Sequence, residues 1–409
     1  MSRPAALGFI FVTILVDVLA FGVTIPVLPK LVEELSGGDT VQAARNFGAF
    51  GTVWALMQFV CSPILGVLSD RFGRRPVLLL SLLGLGLDYV LMALAPTLGW
   101  LFLGRVLSGM LAANYATAGA YIADVTPPER RAAGYGIMGA AWGLGFVLGP
   151  ALGGVLGQIS PRLPFWAAGA LTLVNVAYGL VVLPESLPKE RRRAVSLRNA
   201  SPIGSLALLR GRPGLLELGA VYFLHHVAHH VLPSVFVLWA GYRLGWDTRM
   251  MGISLAIVGV ASVVVQGALV RPIVARIGER RSLVVGLVAE LVAYTMYGLA
   301  DRAALVWVGV ACGAFAGLFN PALQGLMSRR VDAAEQGRLQ GVNGSLMGIA
   351  GLIGPGLFTL TFAHFISPGA PMVLPGAPFL LAAAVVAIGL MIALRSTASE
   401  AVPAPAPPA

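Results

Sequence analysis

The chain has 409 residues, 57% of them hydrophobic and only 11% charged, with 28 Lys and Arg against 18 Asp and Glu for a net charge of +10. Soluble globular proteins carry about 25% charged residues, so this chain lacks the charge to clothe a water-exposed surface, and it is too apolar to be disordered. A soluble enzyme and a disordered protein are both excluded, which leaves an integral membrane protein.

A helix that crosses a bilayer needs about 20 mostly apolar residues. Such runs fall at 7–29, 46–68, 77–95, 99–123, 134–157 and 164–183, and again at 214–240, 248–270, 282–300, 303–328, 337–363 and 376–394. They predict an all-α protein of twelve transmembrane helices. The first run is too long for a signal-peptide core and lacks a small-residue cleavage site, so it is expected to stay as a helix. Lys and Arg concentrate in cytoplasmic segments. With both termini cytoplasmic, 21 of the 28 fall inside, six outside and one, Arg105, within a span. The positive charge is therefore a topology signal, and no nucleic-acid partner is expected.

Charged groups inside a bilayer are costly and are functional candidates by default. In chain order these are Asp17 in span one, Asp88 in span three, Arg105 in span four and Glu290 in span nine. A desolvated carboxyl can take up a proton near neutral pH and release it elsewhere. Gln58, Asn114, Tyr121, Asn320 and Gln324 are further polar groups in spans. They are read either as ligand contacts or as hydrogen bonds that hold helices together. Span seven carries His225, His226, His229 and His230. Their i,i+4 spacing can hold a metal ion, but the preferred reading is a polar cavity wall, with proton coupling second, and no metal ligand is assigned. Cys61 and Cys312 are read as small hydrophobes.

Shifting the chain by 205 residues places Arg71, Gly73 and Arg75 on Arg276, Gly278 and Arg280, and Gly149-Pro150 on Gly354-Pro355. A six-span unit begins and ends on the same side, so the two copies are parallel repeats with a central cavity between them, an architecture of transporters. The expected organisation is an N-terminal bundle at 1–183, a cytoplasmic basic linker at 184–213, a C-terminal bundle at 214–395 and a disordered tail at 396–409.

The loop between spans two and three reads Gly66-x3-Asp70-Arg71-x-Gly73-Arg74-Arg75. Its glycines allow a sharp turn, and Asp70 can face a helix N-terminus or an arginine, so a breakable latch is expected. Asp124, at the end of span four, is the expected partner. The loop resembles the signature of the major facilitator superfamily. Gly145-x3-Gly149-Pro150-x2-Gly153-Gly154 in span five resembles that of its antiporters; its small residues permit close packing and Pro150 is expected to bend the helix. Ala120-Tyr-Ile-Ala-Asp124, Pro184-Glu-Ser, Pro321-Ala-Leu-Gln324 and Gln336-Gly-x-Leu-Gln340-Gly, among other stretches, are similar to the tetracycline/proton antiporter family.

The resemblance implies that Asp17, Asp88 and Glu290 are the family's three intramembrane acids, although that family usually has Asp where Glu290 stands. It also implies that Arg105 is the span-four arginine associated with proton release. His230 falls where those proteins commonly have a substrate-contacting glutamine, and Gly245 where they often have histidine. The expected function is proton-coupled export of an amphipathic small molecule, tetracycline-like and carried as a metal chelate. Export of another drug or a metabolite is the alternative, and a non-transporting receptor a distant third. Asp17, Asp88, Glu290 and Arg105 are assigned to proton coupling. Asp17, Gln58, Asp88, Asn114, His226, His230, Asn320 and Gln324 are assigned to the substrate. No enzymatic activity and no resident cofactor is expected, only protons and a divalent cation travelling with the substrate. No nucleotide-binding loop occurs. The protein is expected to work as a monomer in a bacterial inner membrane.

Overall fold

The computed structural model describes residues 3–112, 114–126, 131–192, 204–210, 212–332 and 335–398. Most of the tail at 396–409 and the middle of the basic linker lie outside them. No strand occurs among the described residues. In the first half the helices are α1 (Arg3–Thr24), α2 (Leu28–Leu35), α3 (Thr40–Phe72), α4 (Arg74–Leu94), α5 (Leu98–Leu111), α6 (Asn114–Val125), α7 (Arg131–Ile159) and α8 (Leu163–Val182). In the second half they are α9 (Pro213–His229), α10 (Val231–Leu244), α11 (Thr248–Val264), α12 (Val270–Leu299), α13 (Ala303–Ala314), α14 (Phe319–Ser328), α15 (Gln336–Ile366) and α16 (Ala377–Ala398).

Ten helical runs among the described residues are long and apolar enough to cross a bilayer. One of them, Thr248–Leu299, has 52 residues. At 1.5 Å per residue it is far longer than the roughly 30 Å of hydrocarbon it would cross. It holds two spans, one on either side of Gly278, whose φ of 79° breaks the helix. The run α5–α6 adds another, interrupted at Ala112. The total is the twelve that hydropathy predicts. Val181, Ile159 and Leu80 are 87%, 73% and 67% exposed, an apolar outer surface that suits lipid and not water.

Local chemistry sets the helix ends. The Asp39 carboxylate accepts from the amides of Val41 and Gln42 and opens α3. Gly245, at φ 66°, closes α10 with a left-handed cap. Gly73, at φ 107°, separates α3 from α4. Gly73 and Gly278 are the pair that the 205-residue shift superposes, and both adopt a conformation that favours glycine.

Packing divides the chain into two units, neither of them continuous in sequence: 1–202 with 230–263 and 351–378, and 203–229 with 264–350 and 379–409. In the first unit α1 packs on α7 and α8, and α4 on α5 and α8. The antiporter glycines explain the closeness of α1 and α7. A Cβ on Gly149 would lie 2.7 Å from the Gly22 Cα, one on Gly145 would lie 2.9 Å from Val18, and one on Gly153 would strike the Val23 carbonyl. Gly154 faces the other way, where a Cβ would lie 2.8 Å from the Thr248 carbonyl and 3.0 Å from Gly252. Pro150 sits within α7, which runs unbroken as one helix. In the second unit α12 packs on α13 and α14, and α9 on α14.

Candidate functional site

A cavity of about 140 Å³ opens within the first unit. Asp17, Gln58 and Arg105 supply its charged and amide groups, and Phe21, Trp54, Tyr89 and Trp142 its aromatic walls. Phe21 and Trp54 stack on each other at 6.3 Å. Arg105 is held by Ser108, whose Oγ accepts from Nη2 at 2.7 Å and itself donates to the Gly104 carbonyl at 2.8 Å. Asp17 and Arg105 thus share one apolar chamber.

Asp88 lies outside that lining and is 2% exposed. Neither of its carboxyl oxygens has a hydrogen-bond partner among the described residues. It fits against α5 because residue 104 is glycine; a Cβ there would lie 3.0 Å from its Oδ1. Burying a carboxylate without partners costs several kcal/mol, a cost that taking up a proton removes. Asp88 thus stands buried beside the cavity and not in its lining.

The loop after α3 forms a network centred on Arg74. Its guanidinium reaches Asp70 at 2.6 Å, Asp124 at 3.2 Å and the Ser69 hydroxyl at 2.6 Å. Its backbone amide, the first of α4, donates to Glu185 Oε1 at 2.9 Å. Glu185 is thus the acid at the helix N-terminus, while Asp70 takes the arginine. Ser186 donates to Asp124 at 3.1 Å, and Arg75 donates to the Leu180 carbonyl at 2.5 Å. Arg71 stands aside, over the Phe72 ring. Gly66 contributes its carbonyl, which accepts from Ser69. Glu185 and Ser186 were not assigned from sequence, although the Pro184-Glu-Ser run contains both.

In the second unit, Glu290 is 2% exposed. Its Oε2 lies 2.7 Å from His225 Nδ1, and its Oε1 accepts from the Tyr294 hydroxyl at 3.0 Å. His225 stacks on Phe319 with centroids 3.6 Å apart. His226 turns away: its Nδ1 meets the Tyr222 carbonyl at 2.9 Å and its ring stacks on Tyr222. His230 begins α10 in the first unit, where a Cβ on Gly354 would strike its side chain. The Gln324 side chain accepts from Gln340 at 3.3 Å, and Asn320 is exposed; both belong to the second unit. The side chain of Asn114 lies outside those described. Tyr121 donates to the Pro184 carbonyl at 3.0 Å, which makes it a helix tie. Of the eight residues assigned to the substrate, the described cavity brings together Asp17 and Gln58. Ser108, Tyr294 and Phe319 were missed, though Ser108 stands three residues after Arg105 and Tyr294 four after Glu290, both on a shared helix face.

Twelve spans, with an internal repeat and two ionisable side chains lining an apolar chamber, define a membrane transporter. The profile of the Major Facilitator Superfamily matches residues 10–275 and 218–408. The chain is 38% identical to the class C tetracycline resistance protein of Escherichia coli, over 89% of this chain and 91% of that one. It is 37% identical to the class E protein of Escherichia coli, over 89% of each. Among solved structures, the human organic anion transporter MFSD10 (TETRAN) superposes with a TM-score of 0.70 at 24% identity, covering 96% of this chain and 100% of that one; this likeness is one of fold. The chain belongs to the major facilitator superfamily and, within it, to the family of the tetracycline resistance proteins.

Proposed function

We propose that this protein is a drug efflux transporter that exports a tetracycline-like molecule, as its divalent-metal chelate, in exchange for protons. The observation that carries this reading is the first unit's cavity, where Asp17 and Arg105 stand among four aromatic side chains. Aromatic walls suit a flat, amphipathic molecule, and a carboxylate in a low-dielectric chamber suits the positive charge of a chelate. The names of the relatives point to the same substrate class. Protons and a cationic substrate exchange when they compete for one negative charge. Asp17 is that charge in the cavity, Arg105 lines the same chamber, and buried Asp88 is the store behind it. In the second unit, Glu290 is the further proton carrier. The distribution of Lys and Arg supports cytoplasmic termini, and the bacterial tetracycline resistance relatives support an inner-membrane location.

Proteoliposomes loaded with a pH-sensitive dye test the reading. Tetracycline with magnesium is expected to evoke proton flux. Silence with intact tetracycline binding would make the protein a receptor. Flux that needs no divalent ion would replace the chelate with another drug or a metabolite.

A further inference from the structure

We propose that His225, His229 and Glu290 form a binding site for a divalent transition metal, of which zinc is the best fit. Each of the three residues offers one ligand atom, and these atoms all lie within 4.8 Å of one another. His225 and His229 are one helical turn apart on α9, and their rings are nearly parallel with centroids 5.8 Å apart. Glu290 comes from α12 to meet them. Two imidazoles and a carboxylate are borderline donors that suit zinc, whereas magnesium and calcium prefer all-oxygen sets.

Ligand atoms around a tetrahedral zinc stand about 3.3 Å apart. The 2.7 Å between His225 Nδ1 and Glu290 Oε2 therefore opens slightly as a metal replaces the shared proton, and His229 draws in. The surroundings hold the ligands in place: Tyr294 donates to the second carboxylate oxygen, and Phe319 stacks against the His225 ring. Such outer groups fix the orientation of metal ligands. His225 and Glu290 are buried while His229 is exposed, so the triangle has one open side. Three protein ligands and an open position let a bound metal accept a further ligand from outside. The site stands on its own geometry and does not depend on what the first unit's cavity exports.

The test uses purified full-length protein in detergent, titrated with cobalt as a visible probe and then with zinc. One cobalt per chain is expected, with the intense absorption of a tetrahedral N/O site that zinc abolishes and magnesium leaves unchanged. His225→Ala, Glu290→Gln and the milder His229→Gln, at the exposed edge, should each weaken cobalt binding by at least the roughly 10–100-fold that loss of an outer-shell partner costs. His226→Ala should leave the affinity unchanged. Folded wild-type protein that gives no cobalt spectrum would overturn the proposal. So would binding that survives His229→Gln and Glu290→Gln at full strength, or that is lost in His226→Ala.

Discussion

The two loops that the 205-residue shift superposes carry the same ion pair with its signs exchanged. In the first half Arg74 binds Asp124 at 3.2 Å; in the second Glu279 binds Arg329 at 2.9 Å. Residues 74 and 279 are equivalent, as are 124 and 329. The surroundings differ greatly. Arg74 is 12% exposed and is shared among Asp70, Asp124 and Ser69, while the Arg329 side chain is 73% exposed. Exposed pairs contribute about 0–1 kcal/mol, whereas hydrogen bonds to partly buried charged groups contribute about 1.5–3 kcal/mol each. One scaffold position has thus become a network around a covered arginine in the first half, and in the second a single pair whose arginine is exposed while Glu279 is 21% exposed. The first is the one that can act as a latch.

Breaking the network at its centre should have the largest effect. Arg74→Ala is expected to lower transport at least about tenfold, since it strands two carboxylates against each other, while surface expression and membrane insertion stay normal. Exchanging the signs should then sharpen the comparison: Arg74→Glu with Asp124→Arg recreates the order found in the second half and is expected to recover part of the rate lost in either single variant. No recovery would mean that Asp70 and Ser69 dominate. Asp70→Asn removes one of three partners and should cost less, slowing turnover a few-fold at unchanged insertion. Glu279→Gln should change the rate least, by less than about twofold, and added salt should erase its effect.

A smaller, pH-dependent effect is expected at the entry to α15. Hydrogen bonding to Arg212, at 2.8 and 3.0 Å, holds the Glu335 carboxyl below its ordinary range. A carboxyl depressed in the folded state stabilises it above the ordinary carboxylate pKa and loses that contribution as pH falls through the depressed value. Thermal melts of wild type should therefore fall slightly more on acidification than those of Glu335→Gln.

The spans were legible in the sequence because lipid demands about 20 apolar residues for each of them. Thr248–Leu299 shows how far that goes: hydropathy separates two runs at 270 and 282, and Gly278 supplies the break. The glycines of α7 were legible too, since a stripe at 145, 149 and 153 has one use, close packing. Polar neighbours were harder to read. Glu185 caps α4 across 111 residues of chain, and no spacing rule reaches that far. The resemblance assigns Asp88 to both protons and substrate, and only the structure shows it buried against Gly104, beside the cavity's lining. The four histidines of span seven look equivalent in sequence. Rotation about α9 sends His225 to Glu290 and His226 to the Tyr222 carbonyl.

In the proposed function, Asp17 couples proton movement to export from the first unit's cavity. The most direct measurement compares uphill efflux with downhill counterflow of tetracycline in proteoliposomes holding Asp17→Asn. Uphill efflux is expected to be lost while counterflow persists, because the aromatic chamber and Gln58 remain. Uphill pumping by Asp17→Asn at the wild-type rate would contradict it.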